Sequence, residues 1–483
     1  VSGPDLVVMA AYFGIVLAVG AYFARQGGDA TDYFLGRHHM PWVAVMLSIV
    51  ATETSALTVI SVPGIAAGSD GNLTFLQVAF GYLVGRIGVS LWLLPGYFRG
   101  EQETAYQRLE TRFGAQTRRL ASAVFMMIRA MGDSVRVFAS AIPLAIVTGW
   151  SIPTSVVVVC LVTLVYTWAG GIRAVVWVDV MQLFMYTLGG IVIVFVAVRL
   201  AGGLGLAFDS AREAGRLQTF DWSLSFTAPY TLIGGIVGGA LLSAASHGTD
   251  HLIVQRILTV RNLTNARKAM IGSGVLVIAQ FALFLLVGVF IWAAGGAVDE
   301  SLQSDRIFPQ FVVDHLPVGL AGLVIAGVLA AAMSTVSSSL NSLASATTHD
   351  FYAAITGRRD PQHLLKVGRW ATLAWAVVLM GGALAFWAFR SQGTPVVVLA
   401  LSVASIAYGG LLGTFIMAGL MPRSRGRDAI TAILVATAAM LIIVLIEPGP
   451  FENLAWPWYV PLGTAITLAV GFLSSSVRET NTR

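Results

Sequence analysis

The sequence predicts an all-α polytopic membrane protein of about thirteen transmembrane helices, with the N terminus outside, the C terminus inside and a 5+5 inverted repeat at its centre. Three observations lead there. The 483 residues are 57% hydrophobic and only 11% charged, with a mean hydropathy of +0.80. A soluble chain carries about 25% charged residues, so this apolar excess needs lipid to face. Apolar runs long enough to cross a bilayer recur along the whole chain, bounded by charge, Gly and Pro. The basic residues between those runs alternate in density, which sets orientation.

The runs place spans at about 5–25, 41–67, 73–98, 117–148, 152–169, 174–199, 228–255, 267–294, 316–349, 367–389, 394–420, 428–446 and 456–476. Residues 5–25 form an extra N-terminal helix, 41–199 and 228–420 two five-span units, and 428–476 a closing pair. With the N terminus outside, only Arg199, Arg212, Arg216, Arg306 and Arg390 of the 29 basic residues fall in outer segments, and Arg86, Arg129 and Arg136 fall within spans. The rest lie on the inner side, as the positive-inside rule requires. Val1 to Asp5 carry no basic n-region, so the first run reads as a span rather than a signal peptide. No loop is long enough for a separate soluble domain. The stretches from Gly202 to Ala228 and from Asp299 to Phe311 read as outer surface helices, and Thr104 to Gly114 as an inner one with Leu109 and Phe113 on one face.

The net charge of +5 and pI near 9.5 fit anionic lipid headgroups rather than nucleic acid, because the arginines sit between apolar stretches. Cys160 is the only cysteine, which excludes an internal disulfide and argues against a Cys-based metal site. No Walker motif supports ATP-driven transport, and no Cys/His cluster or soluble domain supports an enzyme.

Two spans break the apolar rule. The first, PWVAVMLSIVATETSALTVISVPGIAAG from Pro41 to Gly68, carries Thr52, Glu53, Thr54 and Ser55 at its middle; the other, Leu323 to Asp350, carries Met333 to Ser339 as MSTVSSS. A carboxylate at bilayer depth costs roughly 2.5–3.5 kcal/mol on insertion scales, so it faces protein or a water-filled cavity. A monovalent cation that must be held weakly suits neutral oxygens: carbonyls freed by a break near Ala51 and Thr54, the carbonyl of Ala331, and the hydroxyls of Ser334 and Thr335. The alternative is hydroxyls that bond back to their own helix or pack a seam.

Other polar residues within spans have similar pairs of readings. Glu53 has no base within four residues and reads as a packed acid, a cation ligand or a coupling residue. Arg129, Asp133 and Arg136 share one helical face; since Asp133 neutralises one arginine, the cluster keeps a positive charge that a substrate carboxylate could pair with, or forms a structural ion network. Asp179, beyond the Gly170-Gly171 turn, either gates an ion or accepts hydrogen bonds from the turn, and Asp250 lies in the inner half of the seventh span beside His251. Gly234-Gly235 and Gly238-Gly239 allow close helix approach or unwinding.

SIVATETSALTVISVPG, GYLVGR, LLPGYFRG, TAYQRLETRFG, GGIRAVVWVDVMQ, GTDHLIVQR and MSTVSSSLNSLASATTHDFY together resemble the sodium/solute symporter family, which includes sodium–glucose, proline, iodide, vitamin and sialic acid transporters with the inverted-repeat fold of LeuT. The resemblance covers about residues 5–476. It implies Na+ as the coupling ion, a small organic solute as cargo, and a multi-pass place in the bacterial inner membrane, where a monomer can suffice. It implies a sodium site of Ala51, Thr54, Ala331, Ser334 and Thr335, with Ser338 in a second sodium site of some members. It also implies coupling roles for Glu53 and Asp179 and places Arg136 in the helix from which a sialic acid transporter binds its substrate's carboxylate. Leu57 and Thr58 stand where sugar transporters carry polar residues, which favours a carboxylated solute over a hexose. A proton-coupled symporter of a sugar or other nutrient, with Glu53 titrating, is the alternative mechanism, and a channel the alternative class.

Overall fold

In the computed structural model, which describes residues 3–26, 28–100, 102–295, 304–389 and 396–481, helices run through nearly the whole described chain. After α1 (Gly3–Arg25), one apolar run yields two helices, α2 (Trp42–Glu53) and α3 (Ala56–Ala67). The break has a local cause. Thr54 is extended (φ −83°, ψ 94°), and the Ser55 hydroxyl accepts the N–H of Thr58 at 3.4 Å, capping the new helix. The axes of the pair differ by 61°.

α4 (Leu76–Gly88) passes through a π-helical turn at Val89–Leu93 and ends at Tyr97. The surface helix expected between Thr104 and Gly114 appears as α5 (Gln107–Phe113), with Leu109 and Phe113 buried. α6 (Ala115–Thr148) and α7 (Ile152–Leu200) follow. α7 holds two expected spans in 49 residues, broken at Gly171 (φ 56°, ψ −154°), where a Cβ would meet the Tyr33 carbonyl oxygen at 2.5 Å. The stretch expected as a surface helix after Gly202 forms α8 (Leu204–Glu213).

The second half also opens on a broken helix. A π-helical turn at Gly234–Gly238 leads into α9 (Gly239–Gly248), and the chain restarts as α10 (His251–Leu258), whose N terminus the Asp250 carboxylate caps by accepting the N–H of Leu252 at 2.9 Å. The glycines allow close approach to α4: a Cβ on Gly81 would lie 2.3 Å from the Gly235 carbonyl oxygen. α11 (Leu263–Ala293), α12 (Ser304–His315), α13 (Leu320–Ala346), α14 (Pro361–Phe389), α15 (Val396–Leu420), α16 (Gly426–Ile446) and α17 (Tyr459–Asn481) complete the bundle. The surface stretch expected from Asp299 begins outside the described residues and continues as α12.

α13 is the central post. Every residue from Val324 to Ala346 is buried, and the helix touches α1, α2, α3, α6, α7, α10 and α14. Peripheral helices expose apolar side chains instead, such as Phe184, Phe195, Trp370 and Leu445, as lipid contact requires.

Length and apolarity alone do not reproduce thirteen spans. Among the described residues eight helices meet that test, and the bent α2–α3 pair makes nine. The difference has physical reasons. α7 counts once despite its break; α6 is diluted by Arg118, Arg119, Arg129, Asp133 and Arg136; α9 and α10 are each short; and only Ser405–Leu420 of α15 counts as a shorter apolar helix.

Candidate functional site

The broken α2–α3 pair meets α7, α10 and α13 around one buried carboxylate. Asp179 of α7 accepts hydrogen bonds from the hydroxyls of Ser48 (2.5 Å), Ser334 (2.6 Å) and Thr52 (3.3 Å), and from Arg256 Nη2 at 3.1 Å. Arg256, fully buried on α10, also donates to Ser48 Oγ at 3.0 Å, to the Leu252 carbonyl at 2.9 Å and to Ser338 Oγ. The Thr52 and Ser338 hydroxyls are 3.2 Å apart. Asp179 therefore accepts from three other helices rather than from the Gly170-Gly171 turn, as the shared acceptor that ties four helices together.

Of the residues expected to hold a cation, Ser334 and Ser338 join this network directly. The last carbonyls of α2 lack helical partners at the break. That of Val50 is taken by the N–H (3.1 Å) and hydroxyl (2.9 Å) of Thr54. Ala51, fully buried, and Thr54 flank the opening. Across from them on α13 the Thr335 hydroxyl donates to the Ala331 carbonyl at 3.3 Å, and Ser338 to the Ser334 carbonyl at 2.6 Å. Both bonds run back four residues along α13, the helix-internal pattern of the alternative reading, and the Thr54 hydroxyl accepts from Gln280 Nε2 of α11. No cluster of three or more His, Cys, Asp or Glu that could hold a transition metal occurs among the described residues.

A second centre lies between α6, α10 and α15. Arg129 donates to Asp250, to the Tyr408 hydroxyl at 2.9 Å and to Asp133 at 3.4 Å, while Tyr408 donates to Asp250 at 2.6 Å. Asp133 also accepts from Arg136 Nη1 at 2.5 Å and from Ser339. The expected excess of positive charge is thus corrected: Asp250 reaches across as the second carboxylate, so two arginines face two aspartates. Arg129, Asp133, Arg136, Asp250 and Tyr408 line a narrow cleft with Phe125, Ile128 and Leu411. The two arginines differ within it. Arg129 is 10% exposed and bridges three partners, whereas Arg136 is 21% exposed and pairs with Asp133. A second, narrow cleft under α12 is lined by apolar side chains such as Ile60, Phe308 and Val328 and offers nothing to orient a polar solute.

Glu53 is paired as well. Arg86, buried on α4, donates to it and also to Ser273 Oγ at 2.7 Å and Ser243 Oγ at 3.5 Å, with His247 Nε2 3.8 Å from the Glu53 carboxylate. The base missing from the neighbouring sequence comes from another helix. Ser48, Arg86, Arg256, Ser339 and Tyr408 were not picked out by pattern; only the arginines, unusual within apolar runs, gave a signal. His251 is a satisfied polar group, 3.0 Å from Ser345 Oγ and accepting the Ala105 N–H at 3.4 Å.

Beyond the C-terminal end of α13, Asp350 accepts from Thr104 (2.5 Å), Ser122 (2.8 Å) and Arg118 Nε (2.8 Å). Beside it Glu103 lies 3.0 Å from His349 Nδ1, and this contact holds its carboxyl down at about 2 against an ordinary value of 4.5. A depressed carboxylate stabilises the fold above its ordinary value and loses that contribution as pH falls through the folded one. Thermal unfolding followed from about pH 4.5 toward 2 therefore shows a shallower acid slope for Glu103→Gln than for the parent; equal slopes would remove Glu103 from the acid response.

Residues 33–436 match the family model described as the sodium:solute symporter family. The chain is 28% identical over 487 aligned residues to the sodium/sialic acid symporter NanT of Aliivibrio fischeri, covering 99% of this chain and 94% of that one. It is 27% identical to the sodium/sialic acid symporter SiaT of Proteus mirabilis, covering 90% and 88%. Among solved structures, a substrate-bound, outward-open Na+-coupled sialic acid symporter superposes with a TM-score of 0.88 over 99% of this chain and 98% of the other; at 24% identity it shows the fold.

Proposed function

We infer that this chain, which belongs to the sodium:solute symporter family, imports a small carboxylate-bearing solute by sodium-coupled alternating access. It is a transporter, not an enzyme, and a multi-pass protein of the bacterial inner membrane that couples a small polar solute to Na+. The observation that carries the finer reading is the meeting of the α2–α3 break with the hydroxyl-rich middle of α13 around Asp179.

Carbonyls of Ala51, Thr54 and Ala331 and hydroxyls of Ser334 and Thr335 would hold one sodium ion, and Ser338 would contribute to a second beside it. A cation shared by α2 and α13 favours the arrangement in which they are close; separating them toward the inside weakens the site and releases the ion. Asp179 and Arg256 keep the surrounding hydroxyls in place. Arg136 is the residue assigned to the solute's carboxylate, because a planar guanidinium with free donors forms a bidentate pair. Arg129 instead joins α6 to the α9–α10 break through Asp250. Similarity to sialic acid symporters supports a sugar acid over a neutral hexose.

The same reading assigns thirteen crossings: α7 crosses twice, and α6, the α9–α10 pair and α15 once each beyond those that apolarity identifies. The N terminus then lies outside and the C terminus inside, with 41–199 and 228–420 as inverted repeats that each open on a broken helix. One chain contains both sites, so a monomer suffices.

The test is the thermal stability of the purified protein in sodium and in potassium at equal ionic strength, with a panel of sugar acids, monocarboxylates, amino acids and hexoses. Sodium raises the midpoint, and a carboxylated solute raises it further only with sodium present. Arg136→Ala keeps the sodium increment and loses the solute increment. Equal behaviour in the two cations, with uptake that follows pH, would replace sodium coupling by proton coupling.

A further inference from the structure

The segment between α8 and α9 carries a feature unrelated to ion coupling. Phe220, Trp222, Leu224 and Phe226 alternate with Asp221, Ser223, Ser225 and Thr227, and the four apolar side chains are 43%, 75%, 82% and 65% exposed. Large apolar groups this exposed on a regular alternation mark a surface that something covers.

The backbone of this segment is bonded to the rest of the protein, although Ser223 and Thr227 are also exposed. The Asp221 N–H donates to Gln77 Oε1 at 3.2 Å, and its carbonyl accepts the N–H of Leu232 at 2.7 Å. The Asp221 carboxylate accepts from the N–H of Ser223, and Ser225 Oγ from those of Thr227 and Ala228. The Phe226 carbonyl accepts the N–H of Ala455 at 2.8 Å. These bonds hold the backbone against the ends of α4, α9 and α17 while the aromatic side faces outward.

That side continues a surface already turned to lipid. Phe220 stacks on Phe80 (6.1 Å between centroids, 15° between planes), and Phe80 begins the stripe Val84, Ile87 and Leu91 along α4, whose members are 50%, 39% and 65% exposed. On the other flank Phe226 packs on Trp458 (4.9 Å), and α9 is entered past exposed Ile233. No Lys or Arg occurs from Leu217 to Gln255. We propose that residues 220–226 form a non-helical membrane anchor, with Trp222, Leu224 and Phe226 inserted at the headgroup–acyl boundary of the basic-poor face. Trp in particular favours that depth, where an apolar ring and a polar N–H are both accommodated. The anchor fixes the loop that supports the starts of α4 and α9.

Cys160 is buried and is the only cysteine, so labels can be placed one at a time. Trp222→Cys, Ser223→Cys, Leu224→Cys, Ser225→Cys and Phe226→Cys are spin-labelled and reconstituted in phosphatidylcholine/phosphatidylglycerol vesicles, and collision with oxygen is compared with collision with a water-soluble nickel chelate. Positions 222, 224 and 226 favour oxygen several-fold over 223 and 225. Equal nickel access at all five overturns the proposal in favour of a solvated loop, and even positions shielded from both reagents overturn it in favour of a protein partner or second copy. In the otherwise native chain, lipids brominated near the headgroup quench less fluorescence in Trp222→Phe than in the parent; unchanged quenching also overturns it. Neither readout depends on which solute or ion is carried.

Discussion

Replacing Ser334 and Thr335 together by alanine removes the sodium-dependent part of the thermal stability while leaving a folded protein in potassium. Both side chains are buried, at 0% and 3% exposure. Losing their hydrogen bonds to Asp179 and to the Ala331 carbonyl costs about 1 kcal/mol each. Asp179 keeps Ser48, Thr52 and Arg256, so its charge is not stranded. Sodium at about 100 times its dissociation constant stabilises a native state by about 2.7 kcal/mol, and the double variant brings that increment close to zero. Unfolding midpoints of parent and variant, each in sodium and in potassium, separate the two effects: the structural cost appears in both cations and the lost site only in sodium. A sodium increment that survives intact would move the ion away from α13.

How much of this could be read beforehand depends on the range of the interaction. The α2–α3 break was visible because Thr52 to Ser55 interrupt an apolar run, and a local cap at Ser55 is a local signal. The buried post α13 was visible for the same reason, through a Ser-rich middle in a helix with no charged face. The pairing of charges was not. Glu53 with Arg86, Asp250 with Arg129 and Asp179 with Arg256 each join residues far apart in sequence, and periodicity fixes the face of a helix but not the neighbour that face meets. The inference of a net positive cluster failed on that point, since Asp250 stands on another helix. The span count differs for another reason. Helices that line a polar interior need not be apolar all round, so α6 falls outside a measure based on hydropathy, while α9 and α10 are each too short to meet it.

Glu53→Gln destabilises the protein by about 3–5 kcal/mol, because it leaves the Arg86 guanidinium buried without its carboxylate. Ser273 and Ser243 remain as neutral acceptors and cannot replace a charge. Removing both partners has a different sign. Glu53→Leu with Arg86→Met replaces an ion pair by apolar contact and recovers most of the loss, since breaking a buried pair costs more than deleting it. The comparison also separates structural pairing from ion coupling. If Glu53 serves to hold α2 against α4, the double variant regains stability and keeps its sodium increment; if the carboxylate is a sodium ligand, stability returns without that increment. Denaturation of the parent, Glu53→Leu, Arg86→Met and the double variant, each in sodium and in potassium, reads both quantities at once. The Arg86 pair favours the first outcome: its guanidinium is oriented by two serines from α9 and α11 before Glu53 arrives, an arrangement suited to clamping the end of a broken helix.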